Sequence, residues 1–175
     1  MWSKADANES SNRAHRIALE RGASFMVIDS AGLGGPIADI IAARSDRHYT
    51  VIKALGAERS PDPTRWLNQR AYAYDMLREG MLTGKVDLDL LEDTLLKDEL
   101  LLIQYDFTPK GAIKIESKKD MAARGVKSPD ALDAVVYSYM NAQALVDDPL
   151  AGMKKGDYAQ WDPWDEVESM AGLPI

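Results

Sequence analysis

The stretch Ser24-Phe-Met-Val-Ile-Asp29-Ser-Ala-Gly-Leu-Gly-Gly-Pro36 constrains the fold of this chain more than any other. Phe25 to Ile28 is a short apolar run with two β-branched residues, the pattern of a buried strand. The run stops at a carboxylate, and a glycine-rich turn follows at once. Pro36 suits the first turn of a helix, where its missing N–H would have no partner in any case. Strand, acid, turn and helix in that order set Asp29 at the carboxyl edge of a sheet, where open α/β sheets gather their ligands.

The remaining pattern supports an α/β chain. Ser10 or Ser11 is expected to cap a first helix, which Gly22 ends. A helix over 36–44 and a second strand over 48–55 complete a βαβ unit, hence a parallel pair with a right-handed crossover. Pro61 and Pro63 mark a loop. A helix is expected over 66–79, with Trp66, Ala73 and Leu77 inward, Arg65, Gln69 and Arg70 outward, and Gly80 and Gly84 closing it. Another follows over 89–99, with Leu91, Leu95 and Leu96 apolar. The period then changes: Leu101, Ile103, Tyr105 and Phe107 alternate with Leu102, Gln104 and Asp106, as in a strand. Thr108-Pro-Lys-Gly111 is a turn, and 112–116 returns as the partner strand.

Ser128-Pro129-Asp130 opens the last long helix, with serine at the cap, proline in first position and an acid in the first turn. Leu132, Val135, Val136 and Tyr139 form its apolar stripe. From Asp147 onward Pro, Gly, Lys and Asp take over, and the tail carries Trp161 and Trp164. The domain expectation is one unit over 1–147 and a tail over 148–175.

Composition narrows the chemistry. The chain has no cysteine and only two histidines, His15 and His48, so a metal would be a hard cation held by carboxylates. No apolar run reaches the length of a membrane span, and Met1-Trp-Ser-Lys lacks a secretory pattern. A soluble intracellular protein without membrane contact is expected. The net charge of −7 argues against a general nucleic-acid coat, but it leaves room for a local basic groove. Lys110, Lys114, Lys118, Lys119, Arg124 and Lys127 form one basic segment, opposed only by Glu116 and Asp120.

Asp133 falls at the edge of the last helix's apolar stripe, and Asp130 lies one turn earlier. If that helix crosses the end of the Asp29 strand, Asp29, Asp130 and Asp133 can share divalent cations. Mg²⁺ or Mn²⁺ among them would relieve their mutual repulsion and activate water for attack on a phosphate. Each acid also has a plainer reading: a turn residue at Asp29, a helix-dipole acid at Asp130, a surface residue at Asp133. Gly32, Gly34 and Gly35 offer a rival function, a phosphate cradle at a helix N-terminus. Their spacing is not G-x-G-x-x-G, and no P-loop lysine follows.

Several segments, in order, resemble the C-terminal nuclease domain of the large terminase subunit, the DNA-packaging motor of tailed bacteriophages. They are Val27-Ile-Asp29-Ser-Ala-Gly-Leu-Gly, then Asn68-Gln-Arg-Ala-Tyr with Leu77-Arg-Glu-Gly, then the 95–100 helix and the hairpin. Ile115-Glu-Ser-Lys-Lys-Asp-Met-Ala-Ala-Arg-Gly and Lys127-Ser-Pro-Asp130-Ala-Leu-Asp133-Ala complete the set and are the most specific. The resemblance covers residues 10 to 145.

The resemblance implies a ribonuclease-H-like α/β fold and two-metal hydrolysis of concatemeric double-stranded DNA with Mg²⁺ or Mn²⁺. Asp29 takes the place of the acid that ends a central strand, and Asp133 that of the acid on the late helix. Asp130 is an accessory neighbour. Lys114, Lys118, Lys119, Arg124 and Lys127 would face the DNA backbone. The implied setting is the bacterial host cytoplasm, with the phage portal or other terminase subunits as partners.

The family's first catalytic acid lies on a strand before the first helix found here, and Asp6 is a poor substitute for it. The ATPase domain is also outside this sequence. An N-terminally truncated nuclease domain is therefore expected, as a split gene product, a prophage remnant or one segment of an assembly. Its open strand edge would favour a homo-oligomer or an added partner strand. Three functions follow for testing: an endonuclease, a catalytically inactive binding or assembly piece, and a nucleotide-binding α/β module.

Overall fold

Strand β1 (Phe25–Asp29) pairs in parallel with β2 (Thr50–Ala54), in the register Phe25 to Thr50 through Asp29 to Ala54. The structure is a computed structural model that describes residues 6–45, 48–88 and 94–147. Leu91 and the tryptophan-containing tail lie outside the described residues. The contacts described below lie within the unit that ends at Ala142.

Helix α1 (Ala7–Glu20) precedes β1, and α2 (Gly34–Arg44) makes the crossover to β2. Side-chain alternation along the strands assigns the two faces of the sheet. Met26, Ile28 and Val51 pack with Ala18, Ile41 and Tyr49 beneath α1 and α2. Val27 and Ala54 face the other way, against Ala73, Leu77, Leu132 and Val136. Those four come from α3 (Gln69–Leu82) and α6 (Asp130–Asp147). Leu77, Leu132 and Val136 are fully buried, each contributing about 1.5–3 kcal/mol of apolar burial. The same alternation turns Asp29 toward the α6 side.

Between α3 and α6 lie α4 (Thr94–Leu102), the hairpin of β3 (Tyr105–Phe107) with β4 (Ile113–Ile115), and the short α5 (Lys118–Ala123). The hairpin is antiparallel, and its turn ends at Gly111 with φ of 85°. That is the left-handed region in which glycine carries no Cβ penalty.

The parallel βαβ unit and the hairpin stand as the sequence implied; several boundaries do not. The first helix begins at Ala7 because Asp6, not Ser10 or Ser11, accepts the Glu9 N–H at 2.7 Å. The third helix starts at Gln69, where the Asn68 side chain caps the Ala71 N–H at 3.0 Å. Trp66 stays extended because the chain around it is tied to β4, with Leu67 N–H donating to Ile113 and Ile113 N–H to Arg65. Gly80 lies buried inside α3, where an added Cβ would meet the Tyr139 hydroxyl 2.5 Å away. Gly84, at φ of 71°, follows the helix.

Leu101 and Leu102 continue α4 instead of starting a strand, and Leu101 is left exposed. Leucine favours helix intrinsically, and only three residues remain for β3. Ser128 does not cap α6: its hydroxyl donates to the Asp130 carboxylate. The Leu132 N–H instead donates to the buried Glu99 carboxylate of α4 at 2.7 Å.

Candidate functional site

The turn after β1 fixes the first acid. Asp29 is exposed, and its Oδ1 accepts the Ala31 N–H at 3.0 Å, closing a local turn. A Cβ at Gly34 would lie 1.7 Å from the Asp29 carbonyl oxygen. Only glycine lets α2 begin so close to the strand end.

The second acid is held from several sides. Asp133 occupies the first turn of α6, where its N–H donates to Pro129, and it is only 5% exposed. The Tyr74 hydroxyl donates to its Oδ1 at 2.8 Å, and Arg70 Nε donates to the same oxygen at 3.2 Å. Arg70 also donates to the Glu116 carbonyl at 2.8 Å, which anchors the guanidinium between β4 and α6. Lys118 Nζ lies 3.4 Å from Asp133 Oδ2 and 3.6 Å from Asp130 Oδ1.

Burial, then the Asp133 charge, raises the Tyr74 phenol well above its usual pKa. Tyr137 is pushed up to about 12, by burial first and then by the charges of Asp133 and Asp29. Both phenols are therefore neutral donors at physiological pH.

Asp29 and Asp133 line the same two cavities, of about 430 and about 260 Å³, together with Lys118 and Tyr137. Asp130 lines the smaller one, and Lys114 and Asn68 line the larger. Among the described residues, no group of three or more His, Cys, Asp or Glu side chains is gathered as a metal site. Two carboxylates still suit Mg²⁺ or Mn²⁺. Such an ion commonly takes one or two carboxylates and fills its remaining positions with water and substrate phosphate. Asp29 Oδ2 has no bonding partner among the described residues, and Asp133 Oδ2 meets only the half-exposed Lys118. The donor set fits a hard cation that shares its coordination with a phosphate.

No family model and no curated protein matches this chain. Solved structures do. The nuclease domain of the large terminase subunit gp2 of bacterial virus Sf6 superposes with a TM-score of 0.64 at 23% identity, over 77% of this chain and 73% of that one. A point variant of that domain with manganese gives 0.64 at 22% identity, over 78% and 74%. A variant with calcium gives 0.65 at 22% identity, over 78% and 73%. The fold is that of a terminase nuclease domain. It is ribonuclease-H-like, α/β, with a parallel strand pair between helices.

On this terminase-nuclease fold the expected residues are unequal. Asp29 and Asp133 both line the two shared cavities, while Asp130, half-exposed, pairs with Lys118 and lines the smaller of the two. Lys114 and Lys118 stand at the site, and Lys119 and Lys127 are exposed. Arg124 makes a structural contact: it donates to both oxygens of the Glu116 carboxylate and to the Leu102 carbonyl, tying α5 to the hairpin and α4.

The glycines after Asp29 serve the turn, with Gly32 at φ of 57° and Gly34 against the Asp29 carbonyl. Arg70, expected to point outward, is a correction: its side chain is only 14% exposed and faces Asp133. Sequence reasoning misses Tyr74 and Tyr137 at the site, and Glu99, which lies behind it and holds the Leu132 N–H at the start of α6. Helical spacing holds a signal for two of them, since Tyr74 follows Arg70 and Tyr137 follows Asp133 by four residues. No helix among the described residues is long and apolar enough to cross a membrane.

Proposed function

We propose that this chain is a metal-dependent endonuclease domain of DNA-packaging terminase type, hydrolysing phosphodiester bonds in concatemeric double-stranded DNA. The observation that carries this reading is the sharing of two cavities by Asp29 and Asp133. Those two carboxylates would hold Mg²⁺ or Mn²⁺, with Asp130 as the accessory acid for a second ion. The bound cation supplies Lewis-acid polarisation of phosphate and an activated water. Arg70 and Tyr74 fix Asp133 through Oδ1, so its other oxygen is oriented in advance. The Ala31 N–H does the same for Asp29.

Lys114 and Lys118 would meet the phosphate backbone at the rim, and exposed Lys119 and Lys127 would extend that contact. Arg124 adds positive charge while remaining bound to Glu116. Contacts of this kind give affinity without sequence readout. Double-stranded DNA is the substrate, and the portal and other terminase subunits are the partners that fit a packaging role.

A second reading, a non-catalytic assembly piece, is favoured by one observation. Asp133 is already engaged by Arg70, Tyr74 and Lys118, and no three-ligand cluster forms among the described residues. Linearisation of supercoiled plasmid in Mn²⁺ separates the two. The nuclease reading expects cutting by the wild type and none by Asp29→Asn. A wild type that leaves the plasmid intact at high Mn²⁺ supports the assembly reading instead.

A further inference from the structure

Tyr137 lies one helical turn after Asp133 on α6, and its residue is only 3% exposed. Its ring belongs to the core with Ala54, Leu132 and Val136. Its hydroxyl does not. An added Cβ at Gly56, in the loop after β2, would meet that oxygen at 2.2 Å, so the hydroxyl lies directly over the glycine. It borders both cavities that Asp29 and Asp133 line.

No described residue hydrogen-bonds this hydroxyl. Its neighbour Tyr74 differs, with its hydroxyl donating to Asp133 and receiving Arg70. Among the described residues no sealed-off polar side-chain atom lacks a partner, so the Tyr137 oxygen reaches the cavity space. A polar atom this deep without a protein partner costs free energy unless a ligand or water satisfies it. At neutral pH a phenol has one proton to give. The larger cavity also carries Lys114, Lys118 and Asn68, nitrogen donors suited to an anion.

We propose that the Tyr137 hydroxyl donates a hydrogen bond to a non-bridging oxygen of the phosphodiester bound at Asp29 and Asp133. Tyr137 is thus a substrate-binding residue of the site, and Gly56 is the small residue that leaves its hydroxyl room. This assignment rests on the nuclease reading above, and the experiment separates the failure of one from the failure of the other.

The test compares wild type, Tyr137→Phe and Gly56→Ala by three measurements. Thermal unfolding reports structure, Mn²⁺ binding by electron paramagnetic resonance reports the metal, and anisotropy of a fluorescein-labelled DNA duplex in Ca²⁺ reports phosphate engagement. Tyr137→Phe is expected to keep its melting temperature and Mn²⁺ affinity while losing roughly tenfold in duplex affinity, the scale of one hydrogen bond to a charged acceptor. Gly56→Ala, which displaces the hydroxyl, is expected to weaken duplex binding in the same direction.

Equal duplex affinity in wild type and Tyr137→Phe overturns the tyrosine assignment alone, leaving water as the partner of the hydroxyl. A marked loss of thermal stability in Tyr137→Phe overturns it too, because the hydroxyl would then be bonding protein. A wild type that binds Mn²⁺ but not duplex likewise removes the assignment. A wild type that binds neither removes the nuclease reading with it.

Discussion

Arg70 Nε lies 3.2 Å from Asp133 Oδ1, with the two side chains 14% and 8% exposed. An ion pair shielded to this degree is weak evidence of net stabilisation, but removing one partner strands the other charge. Arg70→Ala is expected to destabilise the fold by about 3–5 kcal/mol, since Asp133 keeps only Tyr74 and the half-exposed Lys118. Denaturant unfolding measures this. A loss below about 1 kcal/mol would mean that solvent or Lys118 compensates the carboxylate, and that Arg70 is not its main partner.

The two acids should therefore respond differently to the same change. Asp29 is exposed and uses one oxygen for the Ala31 N–H, a bond that an asparagine oxygen can keep. Asp29→Asn is expected to leave the melting temperature unaltered while Mn²⁺ affinity falls. Asp133→Asn removes the charge facing Arg70 and is expected to lower both stability and Mn²⁺ affinity. Parallel thermal melts and calorimetric metal titrations check the contrast. Equal stability losses would show that Asp29 is also structural.

How far the sequence could be read follows from the range of the forces involved. The β1 strand, its glycine turn, the parallel pairing and the hairpin were legible because each is written in neighbouring residues. Phe25 to Ile28 is apolar, and Pro109 and Gly111 make a turn by their own backbone preferences. Arg70 was misread because its partner is 63 residues away. The cap of α6 was misassigned for the same reason: Glu99 reaches it from 33 residues upstream, while Ser128 satisfied the local rule. The α5 helix carried a readable signal, Ser117 followed three residues later by Asp120, which closes as a capping box. The acids at Asp29 and Asp133 were found through their position at element ends. Helical spacing relates Tyr74 to Arg70 and Tyr137 to Asp133, but the packing of α3 against α6 that brings these side chains to the acids is written in no local pattern.

Glu99 supplies the next prediction. It is buried, and its carboxylate accepts the Leu132 N–H in the turn that carries Asp133. Glu99→Ala leaves that amide without its acceptor and is expected to cost about 1–2 kcal/mol, the scale of a lost helix cap. Glu99→Gln retains an acceptor oxygen and should recover most of it. Chemical unfolding of the pair decides the matter. Equal losses in both variants would mean that the negative charge at the helix N-terminus matters, rather than the hydrogen bond.

Gly34 tests whether the turn after β1 is built around contact. A Cβ there would fall 1.7 Å from the Asp29 carbonyl oxygen and 2.9 Å from its carbon, both backbone atoms that cannot swing away. Gly34→Ala must therefore shift either the end of β1 or the start of α2. The expected cost is about 1–3 kcal/mol of overpacking, with weakened Mn²⁺ binding because Asp29 moves with its backbone. Gly35→Ala is the control, since its Cβ would be 3.5 Å from the Ser30 carbonyl oxygen, an ordinary contact. If the two variants melt together, the close approach at Gly34 is not a constraint on the fold.

The buried phenols give a pH signature at the alkaline end. Tyr137 is raised to about 12 by burial and by the charges of Asp133 and Asp29, and Tyr74 is raised by burial and Asp133. An acid whose folded pKa exceeds its unfolded value stabilises the fold fully below the unfolded value, about 10 for tyrosine. That contribution is lost as pH rises through the folded value. Between about pH 10 and 12 the unfolded chain releases protons that the folded chain retains, so stability must fall across this window. Phenolate absorbance should show a late phase, and Tyr137→Phe should remove part of it and flatten the alkaline decline in melting temperature. A titration in which every phenol ionises together near its ordinary value would show that Tyr74 and Tyr137 are open to water, and that Asp133 is not shielded as its packing indicates.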